Sequence, residues 1–184
     1  MTCIVAYVDG NVVLMSSDSC STTDDGAIVV RHGQQKVWTL DCGIQIIVGF
    51  CGNFGNGQWV RYGFKWPRYC GMPLERWLIS KVQPALRLSF ITRFGPDANV
   101  DWNLIVGFPR PGRLFVLSPC GDIEESEKNF AAIGSGRDVA KGALEALESV
   151  PMYSWERLEL AMAAAIQFRS DVRSPVHLEA LIAD

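Results

Sequence analysis

The 184-residue sequence has only two histidines, and none of its cysteines is spaced for metal binding. The six cysteines, at positions 3, 20, 42, 51, 70 and 120, form no CxxC pair and no cluster with histidine, which argues against a structural zinc site. There is no excess of positive charge. Lys and Arg number 17 against 20 Asp and Glu, a net charge of −3, so the electrostatic footprint of a nucleic-acid binder is missing. No apolar run approaches the ~20 residues that a membrane span needs. The basic start, long apolar stretch and small-residue cleavage site of a secretory leader are absent as well. Repeats, low-complexity tracts and linkers are also lacking, so one domain over 1–184 is expected. These absences point to a cytoplasmic protein with reduced thiols, several of them buried, and with no cofactor, metal, nucleic-acid or membrane partner. What is present is 48% hydrophobic and 20% charged residues, the composition of a chain that buries a real core.

Alternation from Ile4 to Val8 predicts a strand at the very start, and Asp9-Gly10-Asn11 predicts a hairpin into a second strand, Val12 to Ser17. Further strands are expected at Ala27 to Val30, Lys36 to Leu40 and Gln45 to Phe50. Helical patterns follow at Asn53 to Tyr62 and at Leu74 to Phe90, where Pro84 should kink or end the helix. A second hairpin, Trp102 to Phe108 and Arg113 to Leu117, turns on Pro109-Arg110-Pro111-Gly112. Two apolar stripes, Val139 to Leu147 and Trp155 to Ile166, predict a helix pair separated by Pro151, and His177 to Ile182 closes the chain as a strand. Helices arrive in pairs and not singly between strands, which disfavours a parallel βαβ sheet. Two packed antiparallel sheets with a helix pair on each outer face, an α+β, four-layer αββα sandwich, account for this order.

Chemistry concentrates at the beginning. If Met1 is removed, Thr2 carries a hydroxyl and a free α-amine on one residue. An amine with a reference pKa near 7.7 to 8.0 can take the hydroxyl proton at neutral pH, a recognised form of nucleophile activation. With Met1 attached, that nitrogen is a peptide nitrogen and the site is silent. Such a site needs a cation beside the hydroxyl, a carboxylate to hold the cation, and a backbone donor for the oxyanion. Lys36, Asp18 and the Gly49 backbone are the candidates, each near an end of a predicted strand.

Thr2 opening a strand, Ser17-Asp18-Ser19, Lys36-Val37, Val48-Gly49-Phe50 and Ala132-Ile133-Gly134-Ser135-Gly136 stand in the order and spacing of proteasome β-type subunits, with HslV-type peptidases of bacteria most similar. The resemblance covers nearly the whole chain, from the turn at Asp9-Gly10-Asn11 to Leu178-Glu179-Ala180-Leu181. It implies the αββα fold of N-terminal nucleophile hydrolases. It also implies a threonine-type endopeptidase subunit of a self-compartmentalising, homo-oligomeric ring or stacked rings, acting on unfolded protein or peptide with an ATP-dependent unfoldase as partner. By resemblance Thr2 is the nucleophile, Lys36 tunes the amine, Asp18 pairs with Lys36 and Gly49 supplies the oxyanion N–H. Ser135 bonds near the amine, and Asp171 with Ser174 matches the further pair that proteasome β-subunits place there. The sequence departs from the family at Cys20, where proteasome subunits often carry Arg, at the aromatic-basic stretch Phe64 to Tyr69, and between Arg110 and Pro119.

Plainer roles compete for several of these residues. Ser135, with Asp138 three positions on, has the spacing of a helix N-cap with a capping-box partner. Cys3 would be the terminal nucleophile only if two residues were removed. His32 and His177 have no evident chemical partner. Phe64 to Tyr69 is either a core cluster at a helix end or a contact surface. Two other functions fit the same architecture: a catalytically silent scaffold ring and a small-molecule amidohydrolase.

Overall fold

The computed structural model describes residues 2–22, 28–30, 35–95 and 101–183. The chain starts with a hairpin of β1 (Cys3–Asp9) and β2 (Val12–Asp18), followed by two short strands, β3 (Cys20–Thr22) and β4 (Ile28–Val30). Next come β5 (Val37–Asp41) and β6 (Gln45–Gly52), then the first helical segment. That segment is α1 (Phe54–Gln58) continued by a π-helical turn, Trp59–Gly63. The second segment is α2 (Leu74–Trp77), a π-helical turn Leu78–Val82, and α3 (Gln83–Phe94). Strands β7 (Trp102–Phe108), β8 (Arg113–Leu117), β9 (Ile123–Glu125) and β10 (Phe130–Gly134) precede α4 (Arg137–Leu147) and α5 (Ser154–Phe168), and β11 (Val176–Ile182) ends the chain.

The strands form two main antiparallel sheets, one in the order β10-β1-β2-β11 and one in the order β5-β6-β7-β8-β9. Strand alternation decides which side chain enters which layer. On β1, Cys3 and Val5 join Leu158, Ala161 and Met162 of α5. Ile4, Ala6 and Val8 point the other way and meet Ile47, Ile105 and Leu114 of the second sheet. That sheet's outer face, with Val48, Leu104, Val106 and Phe115, is covered by Trp77, Leu78, Val82 and Leu86. The layers therefore run helix pair, sheet, sheet, helices, as the expected sandwich requires.

Pro84 does not end its helix. The π-helical turn before it ends with the Gln83 N–H bonded to the Leu78 carbonyl, five residues back, so Pro84 falls in the first turn of α3, where a missing N–H costs little. The helical run then continues to Phe94, four residues past the expected end. Strands β3, β9 and β10 are additions to the sequence reading. Phe64, Trp66 and Tyr69 pack on the outer core, with Phe64 edge-on to Trp66 and Tyr69 edge-on to Trp77. The aromatics of that stretch are therefore core, while Lys65 is exposed. His177 sits half-buried on β11 opposite Ser17, and its buried Nε2 has no hydrogen-bond partner among the described residues. His32 lies outside the described residues.

Candidate active site

Register brings the start of β1 together with the ends of β2 and β10. Cys3 pairs with Gly134, and Ile4 pairs with Ser17, so Thr2 projects one residue past the ladder toward Ser135 while Asp18 lies across from Cys3. Gly134 permits this approach. Its φ of +92° suits glycine, and a Cβ there would stand 2.1 Å from the Thr2 carbonyl oxygen. Thr2 itself is buried.

Asp18 is fully buried, and its carboxylate is well supplied with donors. Oδ1 accepts the Cys3 N–H at 3.0 Å and the Lys36 ammonium at 2.7 Å, and Oδ2 accepts the Cys20 N–H at 3.1 Å. Lys36, just before β5, reaches across from the other sheet with a side chain only 10% exposed. Its Nζ donates to Thr2 Oγ1 at 2.9 Å, to Asp18, and to the Cys20 carbonyl at 2.5 Å. All three ammonium protons are thus directed, and one rests on the threonine oxygen.

On the other side of Thr2, Ser135 Oγ accepts the Thr2 N–H at 3.3 Å and lies 3.2 Å from the Thr2 carbonyl oxygen. The Asp171 carboxylate lies close to the same hydroxyl. With its one proton on the Thr2 carbonyl, it keeps a lone pair for the Thr2 nitrogen. Burial raises the Asp171 pKa, but the nearby Ser135 and Arg169 outweigh it and hold the group below its usual value. A depressed carboxylate contributes stability above its unfolded pKa and loses it as pH falls through the folded value, so this contribution is intact at neutral pH. The N-cap of α4 is Gly136, with no side-chain cap. Ser135 therefore does not play the capping role that its spacing to Asp138 suggested, because its hydroxyl is turned to Thr2.

The structure thus brings together Thr2, Asp18, Lys36, Ser135 and Asp171. Ser174 is exposed and sits between Arg173 and Pro175, whose carbonyls accept the Ser19 N–H and hydroxyl. Gly49 is a correction. The Phe50 N–H donates to the Lys36 carbonyl, so the preceding N–H, that of Gly49, points to the opposite edge of β6 and into its ladder with Ile105. It is unavailable to an oxyanion. Gly49 is glycine for packing: a Cβ would lie 2.6 Å from Met15 Sδ and 2.8 Å from Ile4 Cγ2, between the sheets. The Cys20 carbonyl and Arg169 escaped the sequence reading, the first because a backbone group leaves no residue-type signal.

All six cysteines are free; Cys3, Cys20, Cys42 and Cys51 are buried, and Cys70 and Cys120 are exposed. Burial, aided by the charge of Asp18, pushes the Cys3 thiol up to about 12, so it is protonated at neutral pH and unfit as a nucleophile. Iodoacetamide added to the native protein is expected to alkylate Cys70 and Cys120 and no other cysteine. Intact mass and peptide mapping check this, and fast labelling of Cys3 would contradict the burial described.

No helix of the described residues is long and apolar enough to cross a membrane, and none of their His, Cys, Asp and Glu side chains form a group of three or more able to hold a metal. No protein-family model matches the sequence, and no curated protein matches it. Solved structures do match. BPH of Thiobacillus denitrificans, in complex with epoxomicin, is 16% identical, with a TM-score of 0.75 over 98% of each chain. Eukaryotic HslV from Trypanosoma brucei is 18% identical, with a TM-score of 0.71 over 99% of this chain and 100% of its own. The Anbu complex from Pseudomonas aeruginosa, a helical assembly, is 16% identical, with a TM-score of 0.70 over 99% of this chain and 81% of its own. This chain therefore has the four-layer fold of the proteasome-like N-terminal nucleophile hydrolases, shared with BPH, HslV and Anbu.

Proposed function

We propose that the chain, as one proteasome β-type domain, is a threonine-type endopeptidase subunit of a homo-oligomeric, proteasome-like assembly in the cytoplasm. The observation that carries this is the Lys36 ammonium, 2.9 Å from Thr2 Oγ1 and 2.7 Å from the buried Asp18 carboxylate. Removal of Met1 turns the Thr2 nitrogen into an amine. The positive charge of Lys36 then favours the neutral amine and the developing alkoxide together. The amine takes the hydroxyl proton as Oγ1 attacks the peptide carbonyl. The tetrahedral intermediate collapses as the same amine returns the proton to the leaving nitrogen, leaving an ester on Thr2. Water, deprotonated by the amine, hydrolyses that ester and restores the site. Enclosing such sites in a ring confines cleavage to unfolded chains, for which an ATP-dependent unfoldase is the fitting supplier.

Two mass measurements and a peptide assay test this reading. The mature protein should be lighter by one methionine residue. Epoxomicin, the ligand of the Thiobacillus denitrificans protein, should add its mass once, on the peptide that begins with Thr2. Fluorogenic peptides should be hydrolysed. Full retention of Met1, with neither adduct nor turnover, would replace the peptidase by a silent scaffold. Turnover of small amides without peptide cleavage would assign an amidohydrolase instead.

A further inference from the structure

The aromatic-basic stretch after the first helical segment takes no part in the candidate active site. It walls a cleft of about 390 Å³ at the β5 edge of the five-stranded sheet. Trp38 and Leu40 of β5, with Tyr62, Phe64 and Trp66, give the cleft apolar walls, and the Arg61 guanidinium lies 5.8 Å from the centre of the Trp38 ring and 5.1 Å from that of Tyr62. Between Asn53 and Leu74 the chain has three basic residues, Arg61, Lys65 and Arg68, and no acidic one. Arg61 donates to the Gln35 carbonyl and side chain, and among the described residues none of the three meets a carboxylate. Asp41, at the rim of the cleft, accepts the Gly43 N–H at 2.8 Å. The opposite edge of the same sheet has the opposite sign. From Pro119 to Glu127 there are four acidic residues, Asp122, Glu124, Glu125 and Glu127, and no basic one. All four are exposed. Arg113 pairs with Glu125, and the Cys120 thiol donates to Asp122, but Glu124 and Glu127 meet no cation among the described residues. Lys128, next in the chain, is turned to Glu145 and Glu148.

Resting on the homo-oligomeric reading above, we propose that the acidic β9 edge of one copy docks on the basic, aromatic cleft at the β5 edge of the next. β5 and β9 are four strand spacings apart, about 19 Å, so the two edges cannot meet within one copy. A two-fold contact at either edge would set like charge against like, and that cost selects the crossed pairing. Two different patches of one chain make a heterologous contact, which closes into a ring when its rotation closes. Aromatic rings and an arginine gathered in a cleft are the side chains that anchor such contacts, and the exposed carboxylates supply the matching charge. The contact also borders the candidate active site. Trp38 comes two residues after Lys36, and Gln35, which holds Arg61, comes one residue before it. The neighbouring copy therefore covers the strand start from which Lys36 reaches Thr2.

The test reverses charge only at exposed positions, so that the fold is kept. Lys65→Glu/Arg68→Glu alters the cleft side, Glu124→Lys/Glu127→Lys alters the β9 side, and a third variant carries all four changes. Sedimentation velocity is recorded at one protein concentration and low salt, where surface charge is least screened, with circular dichroism to check folding. Each two-site variant should lose the wild-type oligomer and sediment as a monomer, and the four-site variant should reassemble. Mixing the two two-site variants should give hetero-oligomers that neither forms alone, because each then offers the edge that the other matches. Carbodiimide treatment of mixed isotope-labelled and unlabelled wild type should join Lys65 of one copy to Glu124 or Glu127 of another. An oligomer unchanged in Lys65→Glu/Arg68→Glu would mean that something other than a second copy covers the cleft, and it overturns the proposal. So does an oligomer unchanged in Glu124→Lys/Glu127→Lys, or a four-site variant that stays dissociated. In those cases the homo-oligomer itself still stands. A wild type that sediments as a monomer instead removes the homo-oligomeric reading and the contact with it, while peptide turnover tests the chemistry separately.

Discussion

Thr2→Ala is expected to abolish peptide hydrolysis, lowering kcat at least a thousandfold, while the protein remains folded. The substitution removes the only attacking oxygen of the mechanism and leaves the α-amine, Lys36 and Asp18 in place. Its effect on stability should be small. Lys36 loses one of three acceptors but keeps Asp18 and the Cys20 carbonyl, so the loss is about 1 kcal/mol, the net worth of one hydrogen bond. Thr2→Ser keeps both hydroxyl and amine and should retain turnover well above that of alanine. This contrast between oxygen present and oxygen absent separates a nucleophile from a residue that merely shapes the pocket. Equal turnover in Thr2→Ala and wild type, measured on protein shown by mass to lack Met1, would remove Thr2 from the chemistry.

Much of this arrangement was readable from local pattern, and the unreadable parts have a common cause. The hairpin at Asp9-Gly10-Asn11 and the pair α4 and α5 follow from periodicity within a few residues. Strand β10 does not, because it is buried on both faces. Phe130 and Ala132 face the helices, Ala131 and Ile133 face the other sheet, and no alternation of polarity remains to be seen. Ser135 illustrates the limit more sharply. Its spacing to Asp138 is that of a capping box, yet its partner is Thr2, 133 positions away. Gly49 fails for a related reason. Its place beside Val48 and Phe50 was visible, but which edge of β6 its N–H faces depends on the phase of a ladder that begins at Lys36. Residue type was thus enough to nominate Thr2, Asp18 and Lys36. The direction of a hydroxyl or an N–H could come only from the packed sheets.

Lys36→Met is expected to damage stability and activity together, and a second substitution should pull the two apart. Among the described residues the buried Asp18 carboxylate would keep only the Cys3 and Cys20 N–H donors, and it would lose the Lys36 charge. Removing one partner of a buried ion pair leaves an uncompensated charge and costs about 3–5 kcal/mol. The urea midpoint, measured at one fixed protein concentration because assembly would shift it, should fall accordingly. Turnover should drop by at least a hundredfold, since the amine and alkoxide lose the cation that favours both. In the double variant Asp18→Asn/Lys36→Met no charge is stranded, but the amide oxygen can accept only one of the two backbone N–H donors and its NH2 faces the other, which costs about 1–3 kcal/mol, so part of the lost midpoint should return. Activity should not return, because the recovered stability comes from neutralising Asp18 and not from restoring a donor to Thr2 Oγ1. If the double variant were as unstable as Lys36→Met, the cost would lie in packing around the lysine stem. If it were active, the 2.9 Å contact between Lys36 Nζ and Thr2 Oγ1 would have no part in the chemistry.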